Sequence, residues 1–326
     1  MSLRIGVVGC GVVGRRRAAA LAGAKLTACM DADPSRANAA AQPHGAQVVS
    51  RVEDLVSNPN VDIVVVSTTN NALAPVAIAA LQAGKHVFVE KPAARNVQEI
   101  DAIIAAATKS QKLVRVGFNH RYHQALLQAR RILDSGTIGP LMFVRGRYGH
   151  GGRPGYEREW RADVTQSGGG ELIDQGVHLV DLSRWVLGPF VRTDGAAHTY
   201  FWDMPVDDNA FLRLTTAKGQ VAFLHVSCTE WKNLFSFEIY GRMGKLHIEG
   251  LGGSYGMERL AHYQMRPEMG PPDTVIYEYP QPDRSWEIEF AEFLEDIRLG
   301  RQPAAGLDDA RAALEVVEAV YATSTR

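Results

Sequence analysis

A glycine-rich turn follows an apolar run near the start of the sequence and limits which folds the chain can adopt. The run LRIGVV is typical of a strand, and Gly9, Gly11 and Gly14 then give the spacing GxGxxG where a helix begins. Glycines at this spacing let the backbone approach a pyrophosphate that the N-terminus of the helix holds. Directly after a strand, the motif predicts a dinucleotide-binding βαβ unit.

The same alternation continues to about Gly117, with short Val/Ile-rich runs separated by Ala-rich amphipathic stretches. The runs IVVVS and VFVE are apolar on both faces, as strands covered by helices on both sides should be. We therefore predict a Rossmann-type, doubly wound parallel sheet in an α/β domain over residues 1–120. The predicted strands are Leu3–Val8, Leu26–Met30, Gln47–Val49, Ile63–Ser67, His86–Glu90 and Leu113–Val116. The clearest predicted helices are Val12–Ala22, Leu73–Ala83 and Val97–Lys109.

Residues 121–326 have a different texture and are predicted to form a second, α+β domain. A Gly-, Arg- and Pro-rich loop over 149–168 is followed by several strand-like runs without helices between them, which indicates an open, mostly antiparallel sheet. The predicted helices are Arg121–Asp134, Gly170–Leu187, Trp286–Leu299 and Leu307–Thr323. The predicted strands are Ala196–Trp202, Ala210–Thr215, Gln220–Ser227, Phe235–Tyr240, Lys245–Glu249 and Val275–Tyr279.

Charge and cysteine content narrow the classes of partner. Lys plus Arg (35) nearly balance Asp plus Glu (36), so we expect neither nucleic acid nor a membrane as partner and favour a small molecule. Three cysteines without metal-ligand spacing argue against a disulfide framework and against a metal site. Without a signal-peptide pattern or an apolar run long enough to span a bilayer, a cytoplasmic protein is expected.

Asp31 supports the assignment of the glycine-rich turn to a nicotinamide dinucleotide. It ends the second predicted strand, 22 residues after Gly9, where an acidic residue meets the adenosine ribose. A carboxylate there repels a 2′-phosphate, which favours NAD, while Arg36 and the run Arg15–Arg17 leave NADP possible. Asp31 could instead belong to the strand-to-helix turn; we assign the helix cap to Asp33 and a solvated helix face to Arg15–Arg17. The predicted cofactor contacts are Gly9, Gly11, Val12, Val13, Gly14, Asp31, Ser67, Thr68, Asn70, Glu90 and Lys91.

Lys91 is the first candidate for the reacting centre. It lies in Glu90-Lys91-Pro92, at the predicted carboxyl end of the fifth strand, which is the edge where open α/β sheets bind ligands. Pro92 fixes the turn and biases Lys91 toward extended geometry. The alternative is an ordinary surface lysine at a strand end.

Asp174 and His178 are the second candidate. Four residues apart on a predicted helix, they share one face, so the carboxylate can orient the imidazole that accepts a hydroxyl proton. Asp181 is a further candidate partner for the imidazole. The run Gly168–Gly170 allows close approach of a cofactor or substrate. A buried structural histidine and a metal pair are the alternatives.

Several aromatic, basic and amide residues in or beside loops could line a pocket for a polyhydroxylated ligand, or could pack at a domain interface. With the reacting residues, the predicted substrate contacts are Lys91, Asn119, Arg121, Tyr148, Trp160, Arg161, Asp174 and His178.

The motifs, taken in order, give a family resemblance that covers nearly the whole chain. GxGxxG, Glu90-Lys91-Pro92, GFNHRY at 117–122, GGGELIDQGVHLVDL at 168–182 and a late GRMGKLHIEG resemble the glucose-fructose oxidoreductase/inositol dehydrogenase/rhizopine-catabolism (Gfo/Idh/MocA) family. The EKP and DxGxH segments, in this order and separation, are the most specific parts.

The resemblance implies hydride exchange between a nicotinamide and a carbinol carbon of a sugar, cyclitol or related polyol. It implies catalysis by Lys91, Asp174 and His178, with His178 as acid/base and Lys91 polarising the reacting oxygen. It also implies a homodimer or homotetramer formed through the C-terminal sheet. One departure is Leu73, which stands where many relatives carry a histidine and so puts one polar contact with the cofactor in doubt.

Two other functions fit parts of the pattern. A hydrolase or lyase with tightly held NAD would oxidise its substrate transiently, without net reduction of added cofactor. A non-catalytic nucleotide-binding sensor would be expected to have lost the lysine or the histidine, and both are present.

Overall fold

The computed structural model of the chain describes residues 2–324, which divide into two compact units. The first unit runs to Phe118 and also takes in 165–168 and 286–315. The second unit comprises 119–164, 169–285 and the segment from Val316 onward. Contacts thus place 165–168 and 286–315 in the first unit, although they lie beyond the sequence-based boundary at residue 120. That division into 1–120 and 121–326 stays a prediction.

The first unit is built on a six-stranded parallel sheet with the order β3-β2-β1-β4-β5-β6. The chain reverses direction across the sheet between β1 and β4, which is the switch point where such sheets bind dinucleotides. The predicted Rossmann architecture is confirmed. The strands are β1 (Arg4–Val8), β2 (Lys25–Met30), β3 (Gln47–Val48), β4 (Ile63–Val66), β5 (His86–Glu90) and β6 (Val114–Gly117). The helices between them are α1 (Val12–Ala19), α2 (Pro34–Ala41), α3 (Val52–Val56), α4 (Asn70–Gln82) and α5 (Val97–Ser110).

Central strands of this sheet are apolar on both faces because helices cover both sides. Every residue of β4 is buried, as the run IVVV predicts. A helix from the end of the chain contributes to the same core: the ring centroid of Phe88 on β5 lies 5.5 Å from that of Phe290 and 5.8 Å from that of Phe293. The first unit is therefore completed by residues about 200 positions further along the chain than Phe88.

The second unit contains an eight-stranded sheet with the order β14-β13-β12-β11-β7-β10-β9-β8. All neighbours are antiparallel except β7 and β10, so the predicted mostly antiparallel sheet is confirmed. The strands are β7 (Leu141–Gly149), β8 (Phe190–His198), β9 (Asn209–Thr216), β10 (Val221–Ser227), β11 (Leu234–Gly241), β12 (Gly244–Glu249), β13 (Glu258–Gln264) and β14 (Asp273–Tyr279). The remaining helices of the chain are α6 (Gln124–Asp134), α7 (Val164–Ser167), α8 (Val177–Leu187), α9 (Ser285–Leu299) and α10 (Leu307–Thr323).

The structure corrects the bounds of several predicted elements and adds a strand. Helix α4 begins at Asn70 rather than Leu73, and helix α6 begins at Gln124 rather than Arg121. Helix α1 ends at Ala19 rather than Ala22. The strand predicted over Ala196–Trp202 is β8, which begins at Phe190 and ends at His198; its polar, Gly-containing sequence is tolerated because it is an edge strand. Strand β13 was not predicted, since ERLAHYQ has few of the apolar side chains that mark a strand in sequence.

The helix predicted over Gly170–Leu187 is not continuous. Residues Leu172–Gly176 form a π-helical turn, with i→i+5 hydrogen bonds, before α8 begins at Val177. The carboxylate of Asp207 fixes its start by accepting from the backbone N–H groups of Gly170 (2.9 Å) and Leu172 (2.8 Å). Turns of this kind occur often at functional sites, and this one carries Asp174.

None of the helices within residues 2–324 combines the length and apolar character that crossing a bilayer needs. Cys10, Cys29 and Cys228 are buried free thiols.

His86, the first residue of β5, predicts a pH dependence of stability. Its Nδ1 accepts from the backbone N–H of Leu113 (3.2 Å), and burial, aided by Lys112, lowers its pKa to about 4. A histidine whose folded-state pKa lies below its unfolded value of about 6.5 stabilises the protein above that value and loses the contribution as pH falls toward 4. We expect His86→Asn, whose amide oxygen can still accept, to have a smaller decline in Tm over this range. An equal decline in both proteins would contradict the assignment.

Candidate functional site

The glycine-rich turn between β1 and α1 is tightly packed at two glycines and open at the third. Gly9 has φ +87°, and a Cβ there would lie 2.5 Å from the carbonyl oxygen of Ser67. A Cβ on Gly14 would lie 1.9 Å from the carbonyl oxygen of Gly9. A Cβ on Gly11, the N-cap of α1, would have no protein atom within 4 Å. Gly9 and Gly14 thus shape the turn, and Gly11 leaves open space at the helix N-terminus.

Asp31 follows β2 directly and braces the same turn. Its Oδ2 accepts from the backbone N–H of Cys10 (2.6 Å), and its Oδ1 accepts from that of Asp33 (2.8 Å). Asp33 caps α2 by accepting from the N–H of Ser35 (2.9 Å), with Pro34 in the first turn of the helix. The two aspartates therefore have different tasks, and Asp31 lies beside the glycine-rich turn. Its contact with a ribose stays a prediction.

Two of the three arginines in α1 are exposed as predicted, but the third is not. Arg15 and Arg16 face solvent, whereas Arg17 is fully buried. The prediction of a solvated face was wrong for Arg17 because acidic and aromatic side chains elsewhere in the first unit enclose it.

The predicted contacts at the end of β4 have distinct surroundings. The hydroxyl of Ser67 donates to the carbonyl oxygen of Gly9 (2.7 Å) and that of Thr68 to the carbonyl of Thr69 (3.1 Å). The amide of Asn70, at the start of α4, donates to the carbonyl of Ser167 (2.8 Å). Leu73 is fully buried. Ser67 therefore supports the glycine-rich turn, and Asn70 holds the 165–168 segment to α4.

Lys91 follows β5 at the carboxyl edge of the parallel sheet. The Lys91–Pro92 peptide is cis, and the N–H of Ala93 donates to the carbonyl of Glu90 (2.9 Å), which closes a tight turn around the lysine. The Glu90 side chain is buried, and Lys91 is half-buried. The first unit thus contains the glycine-rich turn, Asp31 and Lys91 at the carboxyl ends of parallel strands.

In the second unit, His178 lies in an aromatic cluster near the start of α8. Its ring stacks on that of His120, with centroids 3.8 Å apart and an interplanar angle of 25°. The ring of Tyr148 lies 6.2 Å from that of His178 and 5.4 Å from that of Tyr255. Burial raises the pKa of Tyr148 well above its usual value and that of Tyr255 to about 12, so both hydroxyls stay protonated near neutral pH.

Asp174 lies in the π-helical turn and is buried. Its Oδ2 accepts from Nε of Arg161 (2.8 Å), and the charge of Asp174 raises the pKa of that guanidinium. The Arg161 guanidinium carbon lies 4.6 Å from the centroid of the Trp160 ring. The predicted residues Trp160, Arg161 and Asp174 are therefore neighbours. A small pocket beside them is lined by Tyr156, Arg161, Gly170, Glu171, Asp174, Met204 and Val206.

Two predicted substrate contacts have other partners in the structure. Arg121 is buried and donates through Nε and Nη2 to the carboxylate of Asp181 (2.8 and 2.5 Å). The amide of Asn119 donates to the hydroxyl of Ser285 (3.0 Å). Asp181, considered above as a partner of His178, thus forms a bidentate ion pair with Arg121.

At the three glycines before the π-helical turn, other residues of the protein lie where a side chain would be. A Cβ on Gly169 would lie 2.2 Å from the Tyr321 hydroxyl, and one on Gly170 would lie 1.9 Å from the carbonyl oxygen of Asp207. Gly168 has φ +82°. In the second unit, the groups that approach Gly169 and Gly170 closely are Tyr321 and Asp207. Close approach of a cofactor or substrate to these glycines stays a prediction.

Sequence reasoning missed several residues around the pocket and in the aromatic cluster. Glu171 is buried and accepts from the hydroxyl of Tyr156 (3.4 Å), and Nε2 of His150 lies 3.5 Å from its Oε1. His120 lies between two residues that were selected, and Glu171 directly follows the glycine run. Their proximity to named motifs was the available signal, but it does not show which side chains turn toward Asp174 and His178.

Two family models match the chain, and the two belong together. A model described as an oxidoreductase family with an NAD-binding Rossmann fold matches residues 3–118. The GFO/IDH/MocA C-terminal domain matches residues 126–247. The two matches contain Lys91, Asp174 and His178.

Curated relatives include inositol 2-dehydrogenase 2 of Saccharopolyspora erythraea, 34% identical over 61% of this chain and 58% of the relative. Levoglucosan dehydrogenase of Pseudarthrobacter phenanthrenivorans is 28% identical over 67% of this chain and 60% of the relative. The matched region thus spans about three fifths of these relatives.

Solved structures match over nearly the whole chain. A levoglucosan dehydrogenase in complex with NADH and levoglucosan has a TM-score of 0.88 at 23% identity, covering 99% of this chain and 97% of that one; this likeness concerns the fold. An aldose-aldose oxidoreductase from Caulobacter crescentus, complexed with glycerol, has a TM-score of 0.87 at 26% identity, with the same coverage.

Proposed function

The chain belongs to the Gfo/Idh/MocA family of NAD-binding oxidoreductases, and on that premise we propose that it is a dehydrogenase of a sugar, cyclitol or related polyol. The observation that carries the proposal is that buried Asp174 lines a pocket with Arg161 and Glu171, and that buried His178 follows Asp174 by four residues along the chain. A base, a carboxylate near it and an adjoining pocket are what proton removal from a substrate hydroxyl requires.

The residues of the first unit fit NAD. The open space at Gly11 lies at a helix N-terminus, where backbone N–H groups favour a pyrophosphate, and Asp31 follows the end of β2, so we assign its carboxylate to the ribose hydroxyls. NAD, when bound, supplies the acceptor for the hydride that leaves the carbinol carbon. We expect NAD to be preferred over NADP because Asp31 would repel a 2′-phosphate.

The catalytic roles divide between three side chains. His178 accepts the hydroxyl proton as the carbinol is oxidised and returns it in the reverse direction. Asp174 stabilises the protonated imidazole, and Arg161 holds the Asp174 carboxylate in place (2.8 Å). Lys91 donates to the reacting oxygen and stabilises the negative charge that develops there.

The pocket supports a polyhydroxylated substrate. Tyr156, Glu171 and Arg161 offer one hydroxyl, one carboxylate and one guanidinium within one small volume. Together they can both donate to and accept from substrate hydroxyls. We therefore assign substrate recognition to these residues and to Trp160 and Tyr148; Asn119 and Arg121 would act only if they exchange their present partners.

The cofactor assignment predicts different results for Ala at two glycines of the turn. Gly14→Ala places a Cβ 1.9 Å from a backbone carbonyl, so we expect a loss of stability of about 1–3 kcal/mol together with weaker NAD binding. Gly11→Ala meets no protein atom within 4 Å and should leave Tm unchanged, yet it should weaken NAD binding by about tenfold or more because the pyrophosphate needs that space.

Thermal unfolding and NAD titration by protein fluorescence measure the two effects separately. If Gly11→Ala bound NAD as tightly as the unaltered protein, the pyrophosphate would not lie at this turn.

The screen that tests the proposed function uses the absorbance of the reduced nicotinamide. NAD and NADP are offered separately with a panel of inositols, aldoses, anhydrosugars and sugar acids. We expect reduction of NAD with one class of polyol. Absence of net reduction, with NAD still bound and the substrate cleaved, would replace the proposal by transient oxidation in a hydrolase or lyase. Binding of NAD without turnover of any substrate would favour a sensor.

We also propose a cytoplasmic homodimer or homotetramer formed through the eight-stranded sheet. The three free thiols suit a reducing compartment. Phe143, Phe211 and Phe223 lie on the neighbouring strands β7, β9 and β10 and are 38%, 39% and 55% exposed. Adjacent exposed aromatic rings on one sheet are typical of an interface, and a second copy of the chain presents a matching surface.

Light scattering tests the interface. Phe223→Glu should shift the protein toward monomers, while Leu299→Glu, at an exposed apolar residue of the first unit, should not. A monomeric unaltered protein, or an unchanged mass for Phe223→Glu, would contradict this interface.

A further inference from the structure

Arg17 of α1 is a fully buried cation held by two carboxylates of the first unit. Its Nε donates to Oε1 of Glu90 (2.5 Å), and its Nη1 donates to Oε2 of Glu289 on α9 (2.6 Å). The side chains of Arg17 and Glu289 are 0% exposed. Desolvating these charges is costly, and replacing such a cluster by apolar side chains is often neutral or stabilising. Stability alone therefore gives a poor account of this cluster.

Two aromatic rings and a glycine complete the surroundings of Arg17. Its guanidinium carbon lies 4.2 Å from the ring centroid of Phe88 and 4.3 Å from that of Trp286. Phe88 and Glu90 are two residues apart on β5, so their side chains lie on the same face of the sheet, and Arg17 contacts both. A Cβ on Gly117 of β6 would lie 2.8 Å from Oε2 of Glu90 and 2.9 Å from Nη2 of Arg17. A side chain at position 117 would therefore displace the Glu90 carboxylate or the Arg17 guanidinium from its present place.

Glu90 is the residue before Lys91, and it is fixed at both its side chain and its backbone. Arg17 holds the carboxylate, and the N–H of Ala93 donates to the carbonyl oxygen (2.9 Å). Only Lys91 and Pro92 lie between Glu90 and Ala93, the two residues that this backbone hydrogen bond joins. Fixing Glu90 consequently restricts where the Lys91 backbone lies and how its side chain leaves β5.

We propose that Arg17 is a positioning residue for Lys91: with Glu289 as its counter-charge, it fixes the carboxylate of Glu90 and so the lysine amine that addresses the reacting oxygen. The proposal rests on the proposed function for the role of the amine, whereas the effect on Lys91 itself does not depend on turnover. It makes α9 part of the support of the reacting centre. A misplacement of about 1 Å in a reacting group can lower the rate about 10²-fold. A cluster that does not touch the substrate can therefore change kcat by fixing where the lysine amine lies.

Arg115 provides a matched control. It lies on β6 in the same unit, is also 0% exposed, and donates to Asp296 (2.6 Å) and Glu292 (3.1 Å) of α9. Arg115→Met removes a buried cation that is paired with the same helix, but it leaves the pair between Arg17 and Glu90 in place.

The test compares Arg17→Met, Arg17→Lys and Arg115→Met by two readouts. One is the pH dependence of Lys91 acylation by an amine-reactive ester, read by peptide mass spectrometry; the other is kcat and KM with the polyol found in the screen. For Arg17→Met we expect kcat to fall about tenfold or more, KM for NAD to stay within about twofold, and the Lys91 acylation profile to shift. Arg17→Lys keeps the positive charge but cannot donate to both carboxylates with the geometry of a guanidinium. Its kcat should lie between those of the unaltered enzyme and Arg17→Met. Arg115→Met should lower Tm but leave kcat of the folded protein and the Lys91 profile unchanged.

If Arg17→Met lowered Tm but kept kcat and the Lys91 profile, or if Arg115→Met changed both equally, the positioning role would be overturned. Should Arg17→Met not fold, Glu90→Gln, which removes the carboxylate charge at nearly constant shape, is judged by the same two readouts. Without turnover of any polyol the proposed function fails, and the acylation profiles still decide the role of Arg17.

Discussion

Replacing His178 by asparagine is expected to lower kcat by roughly 10²- to 10⁴-fold, the range that general acid–base groups contribute. The imidazole is 4% exposed and is held by stacking on His120. Asparagine is also polar but cannot take up a proton near neutral pH. Cofactor affinity should stay nearly unchanged because the predicted NAD contacts at the glycine-rich turn lie in the first unit.

Steady-state kinetics over a pH series separates catalysis from folding. In the direction of carbinol oxidation, kcat/KM of the unaltered enzyme should fall on the acid side, where the imidazole is already protonated, and the variant should lose this limb. His262→Asn is the control: it alters another buried histidine, on β13, and should affect Tm rather than the pH profile. A His178→Asn enzyme within about tenfold of the unaltered rate would remove His178 from the proton transfer.

Replacing Lys91 by methionine is expected to lower kcat by roughly 10²- to 10³-fold, as for the loss of one donor to a developing oxyanion. The side chain keeps its length and loses its charge and donors. The loss should fall on kcat more than on KM if the ammonium acts mainly in the transition state. Lys91→Arg restores the charge with a different geometry and should recover only part of the rate.

Lys85→Met is the matched control for Lys91→Met. The Lys85 ammonium, close to the start of β5, donates to the carbonyl oxygens of Asn58 (2.9 Å) and Val61 (2.7 Å), so its loss should lower Tm and spare kcat. Steady-state kinetics of Lys91→Ala with small exogenous amines provide a second check, because an amine that fills the space vacated in Lys91→Ala should restore part of its rate and should not rescue His178→Asn. Equal kcat in Lys91→Met and the unaltered enzyme would assign the lysine to structure.

The architecture of the first unit could be predicted because its signals are local. Runs such as IVVV are buried on both faces wherever helices cover a sheet, and a strand followed by GxGxxG has few structural solutions. Strand β13 was missed because pairing with its neighbours, rather than apolar side chains of its own, makes ERLAHYQ a strand. The π-helical turn was missed because Asp207, more than 30 residues later in the sequence, fixes its start.

The candidate site shows the same division between local and distant causes. Asp174, His178 and Arg161 could be selected by spacing and residue type, and they lie beside the pocket or in the aromatic cluster. Arg17 was misjudged, and the ion pair of Arg121 was not foreseen, because their partners, Glu289 and Asp181, are remote in sequence. The substrate contact of Arg121 stays a prediction. A sequence pattern shows that a cation is present, whereas its partners decide whether it meets solvent, a ligand or a buried carboxylate.

Hydride transfer from the carbinol carbon to NAD is tested most directly by tracing a deuterium label. The polyol that reduces NAD in the screen is supplied with deuterium on the carbinol carbon, and the reduced cofactor is isolated and analysed by mass spectrometry. If His178 and Lys91 support hydride transfer to NAD, the deuterium is transferred to the nicotinamide, and the initial rate shows an isotope effect when chemistry limits turnover. Deuterium that remained in the product, or was released to water while the cofactor stayed oxidised, would contradict hydride transfer to NAD.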